Sequence, residues 1–226
     1  MYKKYFKRPI DIFCALAAIT VFSWLYIIVA ILVRIKLGSP VLFKQERPGK
    51  NGKIFKLYKF RTMTDARDEH GNLLPDDIRL TKFGRLLRKT SLDELPEAFN
   101  ILKGDMSVVG PRPQLVRDMV FFTDEQMKRQ SVRPGLSGLA QISGRNGITW
   151  EEKINFDLEY IKRITFWGDC KIVFKTVWKA FVKQDGISQE GMDTAEDLGD
   201  YLLHSGKITE ESYNRLQAEA KELIGV

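Results

Sequence analysis

Histidine and cysteine are scarce, with two of each in 226 residues. His70 and His204 are too few for a histidine-rich metal centre. Cys14 and Cys170 have neither metal-ligand spacing nor the numbers for a disulfide framework, so a reducing compartment is the default. No G-K-[ST] closes a glycine-rich loop and no G-x-G-x-x-G is present, which removes the P-loop and dinucleotide-binding classes. There is no internal repeat and no low-complexity tract. Charge is missing altogether from Ile12 to Val33, IFCALAAITVFSWLYIIVAILV, a run of 22 residues. Acidic residues are nearly absent from one end. Residues 1–60 hold 12 Lys/Arg against 2 acidic residues, whereas residues 190–226 hold 3 against 9. The net charge of +7 therefore belongs to one surface, of a kind that attracts nucleic acid or anionic lipid.

The uncharged run decides between them. At about 1.5 Å per residue it reaches about 33 Å as a straight helix, enough to cross a bilayer. It is longer than the apolar core of a signal peptide, and no small-x-small cleavage site stands at its end, directly before Arg34. A retained apolar helix beside basic residues favours a lipid surface over nucleic acid. Lys3, Lys4, Lys7 and Arg8 precede the run, and Arg34, Lys36, Lys44, Arg47 and Lys50 follow it. Lys/Arg-rich flanks prefer the cytoplasmic side. A spanning helix sends one flank across, while a helix that bends and returns keeps both inside. Ser23 lies at mid-run, where a hydroxyl bonding back to the helix assists a bend. A single-pass anchor stays open as the alternative. Late in the chain, CKIVFKTVWKAFVK places Lys171, Lys175, Lys179 and Lys183 on one helical stripe, with Val173, Phe174, Val177, Ala180 and Phe181 facing away. Such a helix lies in lipid headgroups or packs on a core.

Between these lies a punctuated middle. VLFKQERPGKNGKIFKLYKFRTM alternates around RPGKNG as a β-hairpin does. DIRLTKFGRLLRKTSLDELPEAFNILKG reads as two short helices joined near Thr90–Ser91, the second ending at Gly104. Within it, Asp93 and Glu94 stand side by side. Ser91 and Glu94 fit the S-x-x-E capping box, and Pro96 fits better if Asp93 is the N-cap, because its missing N–H then falls in the first turn. Either start places both carboxylates at a helix N-terminus, where the dipole favours the ionised form. The alternative to simple capping is an anionic catalytic pair awaiting phosphate and metal. GPRP holds Arg112 between prolines on extended backbone and opens a helix over QLVRDMVFFTDEQMKRQ. RPGLSGLAQISGRNG sets Arg133 and Arg145 among glycines that permit close approach of backbone to a ligand.

KRPID before the apolar run, FKQERPGKNGKIFKLYKFRTM, LLPDDIRLTKFGRLLRKTSLDELPEAFNILKGDMSVVGPRP, RPGLSGLAQISGRN, and Trp150, Asp157 and Tyr160 together resemble the bacterial sugar transferases of the small, monotopic phosphoglycosyl transferase type. The likeness covers roughly residues 7–194 and is nearest to members that transfer N,N′-diacetylbacillosamine 1-phosphate. It implies transfer of a sugar 1-phosphate from a UDP-sugar to undecaprenyl phosphate, with release of UMP and with Mg²⁺, at the cytoplasmic face of the bacterial inner membrane. Carried over, Asp93 is the nucleophile that forms a phosphosugar intermediate, and Glu94 assists with the metal or the lipid phosphate. Because a carboxylate attacking a diphosphate brings anion against anion, cations are required. The candidates are Lys59, Arg88, Arg112, Arg133 and Arg145. Arg8, Asp11, Ser23 and Trp24 belong to the membrane helix. Where the family bends at a Ser-Pro pair, this chain has Ser23–Trp24, which leaves the helical hydrogen-bond ladder free to continue. The expected fold is α+β and mostly helical with a small hairpin. It divides into a re-entrant membrane helix over 1–36, a catalytic domain over 37–194 and an acidic helical extension over 195–226. Other glycan-assembly enzymes and a second copy of the chain are further candidate partners; nucleic acid is not.

Overall fold

A computed structural model describes residues 1–144, 148–179 and 196–225. The apolar run does not form one straight helix. A π-helical turn, Tyr2–Phe6, leads into α1 (Lys7–Val21), and α2 (Ser23–Lys36) follows after a break at Phe22. No single helix is long and apolar enough to cross a membrane, and the two arms, Tyr2–Val21 and Ser23–Leu37, are bent by 65°. The ladder therefore breaks here without proline. Phe22 leaves helical geometry at φ −98°, ψ 13°.

Polar residues at the start of α1 tie it to the rest of the chain. Asp11 is buried and accepts the Ser107 hydroxyl at 3.0 Å and the Val108 N–H at 2.9 Å. Arg8 donates to the carbonyls of Ile101 and Leu102 at 2.6 and 2.9 Å, which lie at the end of α5 (Glu97–Lys103), where a helix has carbonyls to spare and favours a cation. Ala15 of α1 and Val29 and Val33 of α2 are buried. The opposite sides expose Phe13, Trp24, Ile27, Ile31 and Ile35. Ser23 follows the break directly, so it opens α2.

The expected hairpin forms. β1 (Leu42–Pro48) pairs antiparallel with β2 (Ile54–Phe60), Leu42 opposite Phe60 and Pro48 opposite Ile54. Its turn needs φ of 58° at Asn51 and 75° at Gly52, conformations that Asn and Gly tolerate. After α3 (Asp76–Arg79) and α4 (Lys82–Thr90), α5 docks on β2 through Asn100. This fully buried side chain accepts the Tyr58 N–H at 3.0 Å and donates to the Lys56 carbonyl at 2.8 Å, taking the hydrogen bonds that another strand would make. Phe55, Leu57, Ile101 and Met106 fill the space beneath.

β3 (Ser107–Val109) pairs parallel with β4 (Gly135–Ser137). Between them the single helix expected over QLVRDMVFFTDEQMKRQ is two short ones, α6 (Val116–Met119) and α7 (Asp124–Met127). Thr123 and Gln126 form a capping box that restarts the helix. Then come α8 (Leu139–Ser143), α9 (Trp150–Lys162), α10 (Phe166–Trp178), α11 (Leu198–His204) and α12 (Glu210–Ile224). The acidic tail packs rather than dangles. Leu198 is buried in the cluster of Val116, Met119, Phe121, Phe122, Ile154 and Leu158, and Tyr201, Leu202, Tyr213 and Leu216 cover it.

α10 packs on the core through one side, where Ile172 joins Val109, Ile142 and Tyr160, but its predicted apolar face is not the buried one. Ile172 is buried, but Phe174, Val177 and Trp178 are exposed beside Trp167. The helix joins α1 on its inner side through Asp169, which accepts the Lys7 ammonium at 2.6 Å and the Tyr2 and Tyr160 hydroxyls at 2.8 Å each. Tyr2 also meets Phe166 edge-on at 5.9 Å, so the turn before α1 meets the start of α10. Lys183 of the predicted stripe, and Ala180 and Phe181 of the face opposite it, lie outside the described residues.

Candidate active site

The two carboxylates sit between α4 and α5, and neither predicted cap forms. Ser91 adopts the left-handed conformation, φ 56°, to end α4, and makes no side-chain cap. Leu92–Glu94 form one 3₁₀ turn, and Pro96 precedes α5. This turn faces β2. Lys59 of β2 lies 2.8 Å from Glu94 Oε1, and Arg112 lies 2.6 Å from the same oxygen. Lys59 also reaches 3.2 Å from Glu97 Oε1, a fully buried atom that makes no hydrogen bond of good geometry. The cluster is thus three carboxylates and two cations. Glu94 is the hub, while the Asp93 carboxylate, 7% exposed, accepts no hydrogen bond among the described residues.

Titration follows from that arrangement. Burial, and then the adjacent Glu94 charge, push Asp93 up to about 6, against the pull of Lys59, Arg88 and Arg112. The shift therefore runs opposite to the one expected from a helix dipole, although Asp93 is still mostly ionised at neutral pH. At one short turn the dipole is weak, and desolvation beside another anion outweighs it. Glu97 is pushed up to about 7 by burial and by Glu94. Burial also opposes the charge on Glu94, but Arg112 and Lys59 together outweigh it and hold Glu94 well below the usual carboxylate range. Glu94 in turn raises Arg112 above its ordinary value.

The segment Gly110–Pro113 is fixed as the prolines suggested, and more firmly. The Gly110 N–H donates to Ser137 O at 2.8 Å, and Pro111 O accepts from Gly135 N–H at 2.9 Å. That closeness requires glycine, since a Cβ at Gly135 would stand 2.0 Å from Gly110 N. Arg129 donates to Arg112 O at 2.7 Å and Arg47 to Pro113 O at 3.1 Å.

Against this geometry, the family model described as bacterial sugar transferase matches residues 2–183. The chain belongs to the bacterial sugar transferase family. It is 51% identical over 190 residues to the "uncharacterized sugar transferase EpsL" of Bacillus subtilis, covering 84% of this chain and 94% of that one. It is 42% identical over 189 residues to a UDP-glucose:undecaprenyl-phosphate glucose-1-phosphate transferase of Klebsiella pneumoniae, covering 79% of this chain and 41% of that one. It is 40% identical over 185 residues to a UDP-N-acetylgalactosamine-undecaprenyl-phosphate N-acetylgalactosaminephosphotransferase of Aeromonas hydrophila, covering 76% of this chain and 43% of that one. The chain spans less than half the length of the latter two.

Of the cations predicted for this transferase, Lys59 and Arg112 reach the carboxylates directly. Arg88 stands one step back. Its Nε donates to the Thr62 hydroxyl at 3.1 Å, while its charge still acts on Asp93. Gly84 lets α4 come this close, because a Cβ there would meet Thr62 O at 1.8 Å. Arg133 is not brought to the cluster. Its Nε donates to Gly104 O at 2.7 Å, beyond the far end of α5 and beside Arg8. Arg145 lies outside the described residues.

Glu97 was missed. Its spacing reads as the first turn of an ordinary helix, although D-E-x-x-E, with Glu94 and Glu97 three apart, was a signal that they share a face. For Mg²⁺, no group of three or more His, Cys, Asp or Glu among the described residues is arranged to hold an ion. Magnesium commonly takes one or two carboxylates and completes its shell with phosphate oxygens and water. Asp93 and the second oxygen of Glu94, neither of which accepts a hydrogen bond among the described residues, fit that lesser demand.

Proposed function

We propose that the chain transfers a sugar 1-phosphate from a UDP-sugar to undecaprenyl phosphate through Asp93. The carrying observation is the unengaged Asp93 carboxylate, fixed beside Lys59 and Arg112 by their shared bond to Glu94. An Asp93 oxygen bonds to the β-phosphorus, and the bond from that phosphorus to the UMP oxygen breaks, so UMP leaves with the electron pair. A phosphate oxygen of undecaprenyl phosphate then attacks the same phosphorus and displaces Asp93. Asp93 and Glu94 would hold Mg²⁺, which neutralises diphosphate charge when bound. Lys59 and Arg112 supply further positive charge, preorganised by Glu94, where charge accumulates. The named relatives act on different sugars, and an N-acetylated hexosamine such as N,N′-diacetylbacillosamine is the donor sugar we infer from the sequence resemblance. The test is mass spectrometry of the chain quenched with each of a panel of UDP-sugars. The expected result is one phosphosugar adduct on Asp93, its mass naming the sugar. An adduct elsewhere, or turnover without one, removes Asp93 from the role.

The membrane reading rests on the 65° bend, the exposed apolar sides of α1, α2 and α10, and basic residues on both flanks. We read the helix pair as re-entrant in the bacterial inner membrane, with the site on the cytoplasmic face. Cysteines placed at Lys4 and Lys50 should both be protected from an impermeant reagent in intact cells and labelled after lysis. Labelling of either from outside contradicts the bend-and-return topology.

A further inference from the structure

Arg112 meets Glu94 at 2.6 Å from a backbone that is itself held by a buried ion pair. Arg129 donates through Nε and Nη2 to Asp157 Oδ2, at 3.0 and 2.6 Å, and the same Nη2 donates to Arg112 O at 2.7 Å. Both side chains are 3% exposed. The Arg129 guanidinium also lies over the Phe122 ring at 5.3 Å. Asp157 stands mid-way along α9, whose start is capped by Thr149 and Glu152. A buried ion pair is weak evidence for stability, since an apolar pair of the same volume often serves as well. Its distinctive capacity is directional. A planar guanidinium locked edge-on by a carboxylate points its remaining N–H in one direction, which a lysine's point charge does not do.

We infer that the Arg129–Asp157 pair is a positioning device for Arg112, setting the transferase's phosphate-facing cation from α9. The chain of contacts runs from Asp157 to Arg129, to the Arg112 carbonyl, and through the Arg112 side chain to Glu94. Neither Arg129 nor Asp157 contacts the carboxylate cluster, so their effect on rate passes through Arg112. This rests on the proposed reaction.

The test is a double-mutant cycle on UMP release with folding followed by thermal unfolding. Asp157→Asn keeps the shape and removes the charge. With Arg112 present it should lower kcat/KM by about 10- to 100-fold, the cost of roughly an ångström of misplacement. In an Arg112→Ala background the same change should cost less than about threefold, because there is no guanidinium left to misplace. Arg129→Lys should give the same pattern, and serves if Asp157→Asn does not fold. Equal fold-losses in both backgrounds, or loss of fold in both variants, make the pair merely structural and overturn the inference. Failure of the wild-type chain to release UMP overturns the reaction as well, which separates the two failures.

Discussion

Asp93→Asn should lower UMP release by about 10⁴-fold or more and at the same time make the fold more stable above pH 6. The first effect is the loss of the nucleophile, a class of change that in other enzymes with covalent intermediates leaves only the rate supplied by binding and electrostatics. The second follows from where the carboxylate is kept. Below its ordinary value of 3.8 Asp93 carries its proton in both folded and unfolded chains, and nothing is lost. Between 3.8 and about 6 the folded chain still holds a proton that the unfolded chain has released, so stability falls as pH rises. Above that window the full penalty stands, and a shift from 3.8 to about 6 corresponds to roughly 3 kcal/mol. Asparagine has the same shape and no charge, so it avoids the penalty. Unfolding midpoints of the two proteins should coincide near pH 4, separate between pH 4 and 6, and stay apart at pH 8. A variant that releases UMP at the wild-type rate ends the nucleophile reading. A variant without the pH-dependent gap shows that Asp93 is not held in an unfavourable charged state.

The same tension explains which parts of the site were readable from residue order. Asp93 and Glu94 were singled out through the family resemblance, because residue order alone accounts for two adjacent anions at a helix start by capping. Lys59 and Arg112 were legible because anionic chemistry demands cations, and because GPRP is visibly stiff. What sequence order hides is depth. Nothing in E-A-F-N-I-L-K marks Glu97 as buried at 2% exposure, and nothing marks Arg129 and Asp157, 28 positions apart, as one pair. Arg133 was misplaced for the opposite reason. Glycines around it suggested a ligand loop, whereas Gly110 and Gly135 are there so that two backbones can touch. The capping box at Ser91 failed because α4 needed a left-handed residue to stop it, a tertiary demand that outweighed a local preference. The hairpin and the mostly helical α+β character were readable because their signals, alternation and turn residues, are local. A bend near Ser23 was readable from the basic residues on both flanks; its placement at Phe22 was not, because no proline marks it.

Lys59→Met should be the costliest change at the site after Asp93→Asn, and its cost should depend on pH. The Lys59 side chain is 18% exposed and stands between Glu94 and Glu97 at 2.8 and 3.2 Å. Methionine fills much of the same space but leaves three carboxylates facing one direct cation, Arg112. Removing one member of a buried charge pair costs about 3–5 kcal/mol, and at pH 8 most of that should appear as a lower unfolding midpoint. Glu97, already pushed up to about 7, rises further without Lys59. It therefore takes up a proton in the folded chain as pH falls, so the deficit should shrink toward pH 5. Adding Glu97→Gln should recover much of the loss at pH 8 without acid. Activity moves the other way along the same axis. Lys59 is one of the charges holding Asp93 down, so the acid limb of UMP release, expected near pH 6 in the wild-type chain, should shift to higher pH. The maximal rate should drop by about 10²-fold, the order expected when one preorganised charge partner is removed. A deficit independent of pH, together with an unmoved acid limb, is the outcome that would show Lys59 to be an ordinary surface cation rather than the charge that keeps Asp93 ready to attack.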